Sequence, residues 1–227
     1  MSGTPGLVTA ADYSEAMSVV RRAKSVLALL ILLMLVLQIA VFFMARYEVF
    51  PIPAWGLSAS DSTTQPITTG SDRLTDVMHY VTGVTLLGGI GLGIVLAMVL
   101  MIILHIMLVG RLIGVSKVAS SLVWCLILIV FLFPWQTFMN NAGLTQTDFR
   151  VPGVLWTWGE LVQRHRFPND FSAEGWATTI LSWFRFVGAP LVAVVLTLMI
   201  QLKSNRGIKM ALGEDEVLNE VMNQASS

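Results

Sequence analysis

Arg185 stands nine positions after Trp176 in the apolar stretch TTILSWFRFVGAP of this 227-residue chain. An arginine at the centre of a membrane helix costs about 2.5–3.5 kcal/mol on insertion scales, so its charge must be accommodated. It can snorkel outward to the headgroups on its long stem. Alternatively it is paired, with Asp76, Asp148, Glu160 or a partner chain as counter-ion. Arg185, Ala189, Ala193 and Thr197 step by four, which puts the arginine on a broad face with small residues. That placement points it into a helix contact.

Asp76 and His79 are one helical turn apart, with Tyr80 and Gly83 on the same face. A hydrogen-bonded Asp–His pair favours the imidazolium and could bind a quinone head group or pass protons. The plainer alternative is a solvated helix end. Haem needs two axial ligands at matching depth, and the histidines are His79, His105 and His165. His79 and His105 lie on one helix near opposite faces and cannot share a haem. His79 and His165 could, if the loop carrying His165 folded back. Paired histidines on facing spans are missing, so neither haem nor quinone is expected as a cofactor, and no metal site is expected. Gln38, the one strongly polar side chain of the first apolar run, either bonds across a helix interface, at about 0.6–2 kcal/mol, or is a tolerated lone amide.

Other chemistry finds little support. Metalloprotease, nucleophile-elbow and P-loop spacings do not occur. GGIGLG at 88–93 imitates a dinucleotide-binding glycine motif but lies inside an apolar run with no strand before it. Cys125 is the single cysteine, so disulfide frameworks and thiolate clusters within one chain are excluded.

The elements that must position these residues are membrane helices. The chain is 55% hydrophobic and 12% charged, with mean hydropathy +0.74. Soluble domains carry roughly 25% charged residues. The fold class expected is an all-α integral membrane protein with four transmembrane helices. The formal net charge is zero, so nothing points to nucleic acid as a partner.

An N-terminal segment, 1–24, precedes the first span and has a capping-box spacing at Thr9 and Asp12. A short helix from about Ala10 then lies on the membrane surface or runs straight into span one. The spans cover about 25–45, 78–110, 118–138 and 176–202, since about 20 apolar residues cross a bilayer's hydrocarbon core. Ser71 or Asp72 can cap a helix that continues into span two. Gly89, Gly93 and Ala97 recur every fourth residue there and predict a seam where another helix approaches closely. Pro190 predicts a disturbance in span four.

Outer loops cover 46–77 and 139–175. The second holds VLWTWGELVQRHRF, a candidate short interfacial helix with Trp156, Trp158, Leu161 and Val162 toward the apolar side. Glu160, Arg164 and Arg166 would face water. The tail, 204–227, is basic and then acidic. Basic residues near the span ends place both termini in the cytoplasm. A cleavable signal peptide, glycosylation acceptors and a lipidation box are not evident, which leans toward a bacterial inner membrane.

Two functional readings follow. The first is a structural or accessory subunit of a larger membrane complex, without catalysis of its own, packing through small-residue faces against other subunits, a second copy or lipid. The alternative is a small transporter, channel or quinone- and proton-handling protein using Arg185, Asp76, His79 and Gln38.

Overall fold

The structure, a computed structural model, describes residues 10–47, 69–135, 138–139, 153–158, 160–161, 176, 180 and 183–213. These are helical with short irregular connections, and no strand occurs among them. Helix α1 is Ala10–Arg46, α2 is Thr69–Val109 and α3 is Val115–Leu132. A π-helical turn at Phe184–Gly188 leads into α4, Ala189–Ala211. Four helices are long and apolar enough to cross a membrane, which is compatible with a multi-pass membrane protein.

The N-terminal segment does not form a separate surface helix, because α1 is continuous from Ala10. Residues 69–77 are helix rather than loop, so Asp76 and His79 sit well inside α2. Helix α4 runs nine residues past the boundary expected at 202.

Each helix shows its neighbours a narrow stripe. Along α1 a stripe of buried residues runs through Met17, Lys24, Ala28, Ile31, Leu35, Gln38, Phe42 and Ala45, with Val41 buried beside it. After the first step of seven, the intervals alternate four and three. Helix α3 repeats the pattern with Val118, Ser121, Cys125, Leu128 and Leu132. Alternation of three and four averages 3.5 residues, the repeat that keeps one stripe facing a partner helix. The stripe of α2 passes through Gly89, Gly93, Leu96 and Leu100. Ala97 is only half-buried, since a strict step of four drifts about 40° per step around a 3.6-residue helix.

Helices α2 and α3 are joined by a tight turn. The Leu112 N–H donates to the Met107 carbonyl at 2.9 Å and Arg111 N–H to Leu108 at 3.2 Å. This is the Schellman pattern, with Arg111 at φ +50° in the place glycine usually takes. Gly114 follows at φ +94°. Pro190 has no N–H and its ring crowds the carbonyl four residues back. The helix answers with the wide turn just before it, where the Ala189 N–H reaches back to the Phe184 carbonyl.

The chain divides into two compact units, each taking part of all four helices. One comprises Met1–Ile31, Leu92–Ile129 and Val195–Ser227; the other comprises Leu32–Gly91 and Val130–Val194.

Candidate functional site

In the unit containing Leu32–Gly91 and Val130–Val194, an aromatic core fixes the surroundings of Arg185. Phe186 stacks on Phe42 at 5.1 Å and meets Trp156 edge-on at 5.4 Å. Val41, Ala45 and Leu161 complete the cluster. Residues 153–157 are not helical, and the Val154 N–H donates to the Phe131 carbonyl at the end of α3. This irregular segment is carried inward: Val154, Leu155 and Trp156 are fully buried.

Arg185 is buried here and does not snorkel. Its Nε donates to Glu160 Oε1 at 3.1 Å and its Nη2 to Oε2 at 3.3 Å. The side chains of Arg185 and Glu160 are 6% and 9% exposed. The two-pronged geometry matches a planar guanidinium to a planar carboxylate, the strongest form of charge-assisted hydrogen bond. Nη2 also approaches the Leu155 carbonyl at 3.5 Å. Glu160 is therefore turned toward Arg185 and away from water, contrary to the amphipathic reading of 154–167. Trp156 Nε1 and Arg185 Nη1 are buried with no hydrogen-bond partner among the described residues.

Gln38 lies in the same unit. Its Nε2 donates to Thr85 Oγ1 at 3.3 Å, and the Thr85 hydroxyl donates to the Thr82 carbonyl. Its Oε1 has no partner among the described residues. Gln38→Leu is expected to change stability by less than about 1 kcal/mol, since one modest bond and one unsatisfied acceptor disappear together. Reversible unfolding in mixed micelles measures this; a loss of several kcal/mol would mean that the amide has a stronger role.

The small residues are occupied inside the chain. A Cβ on Gly89 would lie 3.0 Å from Leu155 Cδ1. Cys125 Sγ lies 3.9 Å from the Gly93 carbonyl oxygen. Ala189 and Ala193 are buried. Asp76 and His79 are both exposed on α2, as is His105. His165, Asp148, Arg164 and Arg166 lie outside the described residues, as does half of the expected interfacial helix. No group of three metal-ligating side chains occurs among the described residues.

A second polar set belongs to the other unit. Lys24 is fully buried, donating from Nζ to Ser204 Oγ and Asn205 Oδ1, both at 2.5 Å. Gln201 Nε2 donates to the Lys24 carbonyl at 3.1 Å. Lys203 reaches Ser120 at 3.3 Å and stands over the Trp124 ring at 5.2 Å. The available signal was periodicity: Lys24 lies two heptads before Gln38, on the same stripe of α1.

Comparison with protein-family models, with curated proteins and with solved structures finds no match for this chain.

Proposed function

We propose that this protein is an accessory subunit of a larger membrane assembly, without catalysis of its own. It docks to another membrane-spanning helix, from a different chain or a second copy, through the outward side of α2. The observation that carries this reading is the exposure of Gly83 and Gly91. A Cβ added at either would meet nothing within 4 Å, and Leu87 between them is 73% exposed. Glycine in lipid lets another helix backbone come close, and close approach is what drives association where apolar burial cannot. The glycines that pack internally are different ones, so Gly83 and Gly91 are not needed for the contacts of Gly89 or Gly93. In this reading both termini are cytoplasmic, supported by Arg21, Arg22, Arg111, Lys117, Lys203, Arg206 and Lys209 near the corresponding helix ends.

Native mass spectrometry of gently extracted protein tests the reading. The unsubstituted chain is expected to carry further polypeptide mass, and the Gly83→Leu/Gly91→Leu variant to lose it. The variant should unfold no earlier, since both sites are sterically open and leucine is the better helix former by about 1 kcal/mol or less per site. Retention of the extra mass by the variant, or a bare chain throughout, would remove the proposal.

A second reading, a small transporter, channel or quinone- and proton-handling protein, has one observation in its favour: Arg185 Nη1 and Trp156 Nε1 are buried with no hydrogen-bond partner among the described residues.

A further inference from the structure

Helices α3 and α4 meet within one unit, and their contacts fall in a regular order. Nearest the α2–α3 turn, an added Cβ at Gly114 would stand 3.2 Å from Met210 Cβ. Next, one at Gly207 would stand 3.3 Å from Lys117 Cβ. Then Lys203 Nζ donates to Ser120 Oγ at 3.3 Å and stands over the Trp124 ring at 5.2 Å. Positions rise by three on α3 while they fall by three or four on α4, so the two helices are antiparallel and each keeps one face on this seam.

Gly207 brings Lys117 and Lys203 together. Its lack of a side chain lets α3 approach until Lys117 lies against it, and Lys203 leaves α4 one turn earlier on the same face. Four residues rise about 6 Å, so the two lysine stems start about that far apart along the seam. Lys117 is exposed and Lys203 half-buried. Segments 92–129 and 195–213 contain Arg111, Lys117, Lys203, Arg206 and Lys209 but no Asp or Glu. Two like charges this close repel, and their own helices supply no carboxylate to relieve them. An anion between them does so, and phosphate oxygens accept strong charge-assisted hydrogen bonds from lysine.

The seam also grades from polar to apolar. Beyond the lysines and Ser120 comes Trp124, a residue type favoured at the headgroup level of a bilayer. Ile127, one turn deeper on the same face of α3, is 45% exposed. A molecule matching this order carries a phosphate at one end and an acyl chain at the other. Clustered basic residues near a membrane surface favour lipids of net negative charge over zwitterionic ones.

We infer that Lys117, Ser120, Trp124 and Lys203 form a binding site on the α3–α4 seam for a phospholipid of net negative charge, with its phosphate between the two ammonium groups. The inference rests on the chain spanning a membrane and is independent of the docking face on α2.

The test titrates the full-length protein in detergent micelles with phosphatidylglycerol and with phosphatidylcholine of the same acyl chains. Native mass spectrometry counts the bound lipid. The first phosphatidylglycerol is expected to bind at least about tenfold more tightly than the first phosphatidylcholine. In Lys117→Gln/Lys203→Gln that preference should fall to about twofold or less. Arg22→Gln/Lys209→Gln removes two charges from the same unit and should keep it. Equal affinity for the two lipids in the unsubstituted protein overturns the inference; it is the result expected if Glu214, Asp215 and Glu216 of the tail neutralise the lysines. An undiminished preference in Lys117→Gln/Lys203→Gln overturns it too. So does an equal loss in Arg22→Gln/Lys209→Gln, which would assign the preference to diffuse charge. The comparison of the two lipids needs no variant, so it decides even where a substitution disturbs folding.

Discussion

Arg185→Met is expected to destabilise the protein by about 3–5 kcal/mol, the usual cost of removing one partner from a buried ion pair. The guanidinium holds both oxygens of Glu160, at 3.1 and 3.3 Å, in a place where the two side chains are 6% and 9% exposed. Taking the cation away costs this desolvated carboxylate two charge-assisted hydrogen bonds. Replacing both residues, as in Arg185→Met/Glu160→Leu, should recover most of that loss, since an apolar pair needs no desolvation. Equilibrium unfolding of both single variants and the double variant in mixed micelles gives the coupling energy directly. A cost below about 1 kcal/mol for the single variant would assign the pair to water-exposed surface, where ion pairs contribute that little.

Gly114→Val has the second large effect. Gly114 sits at φ +94°, a conformation in which a β-branched residue is strained. Its added Cβ would stand 2.7 Å from the Gly207 carbonyl oxygen of α4 and 3.2 Å from Met210 Cβ. A backbone oxygen within a helix cannot move aside without the helix moving. Forced overpacking costs about 1–3 kcal/mol and left-handed backbone about 1–2 kcal/mol more, so a loss of about 3 kcal/mol is expected. Thermal unfolding of the variant in detergent checks it. Gly207 is equally committed, since its own Cβ would fall 2.7 Å from Val118 Cγ2. An unfolding midpoint unchanged by Gly114→Val would mean that the turn is not held against α4.

By itself the sequence determined that apolar helices dominate this chain, how many are long enough to span a membrane, and roughly where they lie. Length and hydropathy decide those features, and both are local. A helix from about Ala10 was legible, but not whether it ran on into the first span, and α2 begins at Thr69, ahead of both Ser71 and Asp72, so neither residue is its N-cap. Only the tertiary structure decided which stripe of each helix turns inward. In a soluble helix apolar residues mark that stripe; in a span every face is apolar, and the mark passes to small and polar residues. Lys24, Gln38, Thr85, Gly89, Ser121, Cys125, Ala193 and Ser204 all lie on buried stripes. Reading small residues at strict steps of four captured Gly89 and Gly93 but carried the stripe on to Ala97, where the 3.5-residue repeat had already turned away. The partner of Arg185 was beyond sequence for a different reason. Glu160 is 25 residues away in an irregular segment. A carboxylate in a segment with amphipathic spacing reads as water-facing until folding brings Leu155 and Trp156 inside and the acid with them.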